Sequence, residues 1–108
     1  MLVQDAVDQA QKRVGLSDKQ PPLPADSLLE LWNMAVADSR DRPAFTCLGQ
    51  TLSYAEVDQL SRRVASYFQR RLKLQAGDRI AIQLPNLIQY PIVVVAAWKL
   101  GLIIVNTN

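Results

Sequence analysis

The sequence predicts an α/β fold made of a β-hairpin, a parallel β-α-β unit and flanking helices, and three observations carry that prediction. Two short apolar runs, 79–84 and 102–105, bracket a hydrophobic segment of helical length over 87–100. Two Ser-x-x-Glu boxes, Ser27 with Glu30 and Ser53 with Glu56, each head an apolar repeat of helical period. Between those boxes, Gly49-Gln50 separates two strand-like stretches.

At the start of the chain, Val3, Val7, Ala10 and Val14 fall at helical spacing, and Gly15 offers a stop. Residues 16–26 turn polar and contain Pro21, Pro22 and Pro24, the composition of an extended linker. The expected organisation is an arm and linker over 1–26, followed by the folded part over 27–108.

From Ser27, residues Leu28, Leu31, Trp32, Ala35 and Val36 mark one apolar helix face, ending near Arg40 ahead of Pro43. A strand over 44–48, a turn at Gly49-Gln50 and a return strand over 51–53 form the hairpin. Ser53 then caps a second helix, with Val57, Leu60, Val64, Tyr67 or Phe68, and Leu72 on its apolar side. Asp58 and Arg62 are placed as an i,i+4 pair on the helix surface. Arg70, Arg71 and Lys73 lie near the helix end, where cations complement the helix dipole.

Ala76-Gly77-Asp78 is a turn into a strand over 79–84 of buried character. Pro85 breaks that strand, and Asn86 is the expected N-cap of the helix over 87–100. This helix is apolar nearly all round and calls for cover on both faces. Gly101 ends it, and 102–105 is a second buried-type strand. Two parallel strands are too few for an independent sheet, so the chain is expected to be part of a larger, truncated domain.

Composition narrows the functional classes. With 108 residues, 49% hydrophobic and 20% charged, the chain suits one small globular domain. A net charge of +2 gives no electrostatic case for nucleic acid. The modest basic cluster of Arg62, Arg63, Arg70, Arg71 and Lys73 reads as a solvated helix face, diluted by Asp5, Asp8, Glu56 and Asp58. Cys47 is the single cysteine, which points to a reducing compartment. No signal peptide is visible, and the longest apolar stretch, 91–105, is broken by Lys99 and Gly101 and falls short of a membrane span. A cytoplasmic location is the resulting expectation.

The four glycines, Gly15, Gly49, Gly77 and Gly101, are scattered, so no glycine-rich phosphate loop exists. The chain contains no histidine, which removes His-based acid–base and nucleophile pairs and the usual zinc sets. Asp26, Glu30, Asp38, Asp41, Glu56, Asp58 and Asp78 each have a local explanation as cap, turn or helix-surface charge. Trp32 and Trp98 read as core residues, and Cys47 as a small core side chain. Tyr90, beside Pro91 at a helix start, is the aromatic left open to a ligand. No catalytic, cofactor-binding or metal-binding residue is assigned.

Several phrases align with a known family. Residues 51–56 (Thr-Leu-Ser-Tyr-Ala-Glu) resemble the LTYxEL segment of AMP-binding, adenylate-forming enzymes, and 77–82 (Gly-Asp-Arg-Ile-Ala-Ile) resemble their GDRVAI strand. Leu84-Pro85-Asn86 is similar to their LPN helix start. Residues 96–101, with 105–108, resemble their AxxRAGxxxVxxNP, Lys99 standing for the commoner arginine as a conservative change on a helix surface. The run 84–91 is most similar to bacterial long-chain-fatty-acyl-CoA synthetases. Four motifs in order cover about residues 24–108, and the first 23 are not placed by the resemblance.

The resemblance implies the N-terminal subdomain of that fold and a two-step reaction in the parent enzyme. A fatty acid carboxylate attacks the α-phosphate of ATP with Mg²⁺, giving acyl-adenylate and pyrophosphate, and coenzyme A then takes the acyl group. The family's phosphate loop, adenine and magnesium segments and catalytic lysine are expected beyond residue 108. The chain itself is thus expected to be scaffold, inactive and without bound cofactor. The chain alone is also expected to self-associate through strand 102–105. An enzyme handling fatty acids can sit peripherally at the inner membrane face, although no residue here shows it. Alternative readings are another acyl- or aryl-CoA ligase of the same superfamily, or a free-standing non-catalytic α/β interaction module.

Overall fold

Both serine caps form, although not identically. In the computed structural model, which describes residues 3–15 and 25–107, Glu56 donates its backbone N–H to Ser53 Oγ at 3.2 Å. Its carboxylate accepts from the Ser53 N–H at 3.1 Å, completing a reciprocal box at the head of α3 (Tyr54–Arg70). At α2 (Leu28–Ser39), Ser27 Oγ accepts from the Glu30 N–H at 3.1 Å, but Glu30 Oε2 reaches one residue further back, to the Asp26 N–H at 3.0 Å. The arm helix exists as α1 (Val3–Arg13), with Val3, Val7 and Val14 exposed. Residues 16–24 of the expected linker lie outside the described residues.

The hairpin pairs β1 (Pro43–Cys47) antiparallel with β2 (Gln50–Ser53), Thr46 opposite Thr51 and Cys47 opposite Gln50. Its turn is Leu48-Gly49, one residue earlier than expected. Leu48 has φ 50° and Gly49 φ 79°, the two left-handed residues of a type I′ turn, whose twist matches that of the strands it joins. Glycine takes this conformation freely, but Leu48 is held there against its preference while 91% exposed.

The parallel unit consists of β3 (Arg79–Ile82), α4 (Gln89–Leu100) and β4 (Ile103–Asn106), with Ile80 opposite Ile104 and Ile82 opposite Asn106. α4 begins two residues later than expected, and Asn86 is not its cap. Residues 85–90 first make tight turns, Leu87 N–H donating to the Pro85 carbonyl and Tyr90 N–H to that of Leu87. Ile88 is the capping position and supplies no side-chain bond. Pro91, the third helical residue, lies where a missing N–H breaks no helical bond. At the other end Gly101, at φ 69°, turns left-handed, and the N–H of Leu102 returns to the Ala97 carbonyl at 3.0 Å.

β3 and β4 were expected to be buried and are largely not. Ile82 is the buried residue of β3, while Ile103 and Val105 of β4 are 49% and 43% exposed. Among the described residues the sheet has two strands, and α4 packs against it through β4. The core instead lies between α2, α3, α4 and the hairpin: Trp32, Val36, Leu52, Val57, Ile88 and Val95 cluster there, with Tyr54, Leu60, Ile92 and Trp98 against them. α3 and α4 are the most extensively packed pair. Ser61 and Ala65 of α3 and Ala96 and Ala97 of α4 are buried, and such small side chains let two helix axes approach closely.

Candidate functional site

The arrangement with most chemistry in it is a carboxylate inside the helix layer. Asp58, on α3, is 6% exposed and was expected on the helix surface. Its Oδ1 accepts from Lys99 Nζ of α4 at 2.7 Å and from Trp32 Nε1 of α2 at 3.1 Å. Its Oδ2 pairs with Arg62 at 3.0 Å, the i,i+4 contact that the sequence implied. One carboxylate thereby joins three helices. Lys99 is also inside rather than on a helix surface, its side chain 16% exposed. The reason is geometric: α4 is covered on the side that carries residue 99, so its ammonium must meet a counter-charge.

Burial pushes the Asp58 carboxyl up. Hydrogen bonds from Lys99 and Trp32, with the charges of Lys99 and Arg62, outweigh that effect and hold it below its ordinary value of 3.8. The group is a permanently ionised anchor at neutral pH. It has no proton to exchange with a substrate there, which fits a structural role better than general acid–base work.

Beside this anchor lies an apolar cleft of about 390 Å³ between the hairpin and the first half of α4. Trp32, Phe45, Ile88, Pro91, Val94 and Trp98 form its walls. Tyr90, the aromatic left open above, also borders it, and its hydroxyl donates to Asn106 Oδ1 at 2.8 Å, tying the start of α4 to the end of β4. Cys47, half-buried, points its thiol at the Asn86 carbonyl at 3.5 Å. Asp78 caps its own turn, Oδ2 accepting from the Gln75 N–H at 2.7 Å. Among the described residues, no three His, Cys, Asp or Glu side chains gather where a metal could be held. No described helix is long and apolar enough to cross a membrane.

The sequence reading missed the pairing of Asp58 with Lys99 and Trp32. A signal was available: Lys99 is the lone charge in the apolar run 91–105, and a cation in such surroundings needs a partner elsewhere in the fold.

A hairpin, a β-α-β unit and a helix layer locked by an internal ion pair define an α/β segment. The family model for AMP-binding enzymes matches residues 32–108, and the chain belongs to that family. A long-chain-fatty-acid–CoA ligase of Haemophilus influenzae is 43% identical over 83 residues, which are 77% of this chain and 15% of that protein. The 2,3-dihydroxybenzoate-AMP ligase of Bacillus subtilis is 41% identical over 61 residues, 56% of this chain and 11% of that protein. Among solved structures, the N-terminal subdomain of Klebsiella oxytoca NpsA superposes with a TM-score of 0.73 at 21% identity, over 78% of this chain and 22% of that one. That likeness shows the fold to be the one the motifs implied. The chain spans about 15% of the length of the curated fatty-acid ligase it matches.

Proposed function

We propose that this chain is the N-terminal scaffold of an AMP-forming long-chain-fatty-acid–CoA ligase. The carrying observation is the 43% identity over 83 residues to a ligase of that name, against shorter coverage by the aryl-acid relative. In this reading the whole protein takes ATP, Mg²⁺, a fatty acid and coenzyme A. No step of the reaction is assigned to the described residues. Their part is to hold the first parallel strands and α4 in place through the Asp58 anchor.

The test is acid-dependent ATP–pyrophosphate exchange by the protein that carries this segment, with palmitate against 2,3-dihydroxybenzoate. Exchange with palmitate supports the reading, exchange with the aryl acid alone favours the aryl-acid ligase, and exchange with neither leaves another acyl-CoA ligase of the superfamily or the non-catalytic module. The 108-residue chain by itself is expected to give no exchange. It is expected to act in the cytoplasm or peripherally at the inner membrane face. It is also expected to self-associate, because β4 leaves Ile103 and Val105 exposed beside an edge. A clean monomer by sedimentation at tens of micromolar would contradict that last expectation.

A further inference from the structure

We propose that Asp58 is a positioning residue whose ionised carboxylate fixes the Trp32 indole as a wall of the apolar cleft, and whose neutralisation lets that wall move. Trp32 is shared by the two features: its Nε1–H is held by Asp58 at 3.1 Å, and its ring lines the cleft. The indole has a single N–H donor, and among the described residues Asp58 is the acceptor that it meets. Tyr54, with ring centroids 5.6 Å apart and planes tilted by 35°, packs against the ring. The bond to Asp58 is charge-assisted, and such bonds are markedly stronger than neutral ones.

The same Oδ1 that holds Trp32 also receives Lys99, so a proton on the carboxyl weakens the hold on α2 and α4 together. The charges acting on Asp58 are Lys99 from α4 and Arg62 from its own helix, and α2 contributes the neutral indole. The hairpin strands, which also pack on α3, contain no Asp, Glu, Lys or Arg. Both cations hold the carboxyl in its charged form, in the direction already described. The wall is accordingly firm at neutral pH and yields in acid.

The test follows the Trp32 indole N–H by NMR in the full chain from neutral pH downward, the resonance assigned by its loss in Trp32→Phe. A shift and several-fold faster hydrogen exchange, with a midpoint below 3.8 and helical circular dichroism retained, is expected. Asp58→Asn should show the faster exchange already at neutral pH and lack the acid step. Lys99→Gln should raise the midpoint, because it removes one hydrogen bond and one cation from the carboxyl. An acid step unchanged in Asp58→Asn, or a midpoint unmoved in Lys99→Gln, overturns the proposal. So does loss of helix at the same midpoint as the indole shift. If Asp58→Asn does not fold, Lys99→Gln decides alone.

Discussion

Removing the two ends of the Asp58–Lys99 pair should cost very different amounts, and the asymmetry can be worked out from the surroundings of each. Asp58→Ala strands the Lys99 ammonium, whose side chain is 16% exposed, and takes the acceptor from Trp32. Breaking a buried pair from one side costs about 3–5 kcal/mol, and partial exposure with a flexible stem puts this site at about 3. Lys99→Met leaves Asp58 with Arg62 at 3.0 Å and Trp32 at 3.1 Å, so no charge is left unpaired. Loss of one charged hydrogen bond, offset by the apolar methionine, should cost about 1 kcal/mol. With a urea slope of about 2 kcal/mol/M, the unfolding midpoint falls by about 1.5 M for Asp58→Ala and about 0.5 M for Lys99→Met. The double variant should be no worse than Asp58→Ala alone, since it strands no ammonium. Equal losses in the two single variants, or a larger one for Lys99→Met, would refute the reasoning.

Three further outcomes are expected. Leu48→Asn should stabilise by about 0.5 kcal/mol in the same urea assay, because asparagine tolerates φ near 50° and the lost leucine is 91% exposed. Gly101→Ala should cost about 1–2 kcal/mol, read as a lower Tm, since φ is 69°, a left-handed conformation that alanine disfavours. The Asp58 contribution is complete above the unfolded carboxyl value and is lost as pH falls through the lower folded one. Wild-type stability should therefore drop more steeply than that of Asp58→Asn as pH falls through that range, as measured by thermal melts at successive pH values.

Local chemistry was legible in the chain itself. The Ser53–Glu56 box, the Gly101 stop and the sheet's parallel partnership all follow from residues within a few positions of one another, or from two apolar runs around one apolar helix. The family could be read too, because four short motifs stand in order. The first turn of α4 was misplaced because Pro85 and Leu87 form a tight turn before the helix begins, a competition that a good cap residue at Asn86 conceals. Likewise the hairpin turn moved onto Leu48, because strand pairing demanded two left-handed residues in a place where the chain supplies one glycine.

What the sequence determined by itself was the set of elements, their order and the family, since these depend on periodicity, caps and short motifs. The tertiary structure decided which charge is inside. Asp58 and Lys99 are 41 residues apart, and Asp58 and Trp32 are 26 apart. Asp58 also has Arg62 as a local partner, and that satisfies every short-range rule. Only the packing of α2 and α4 onto α3 removes the carboxylate from water. Once water is gone, the strongest donors within reach, wherever they lie in the chain, must replace it.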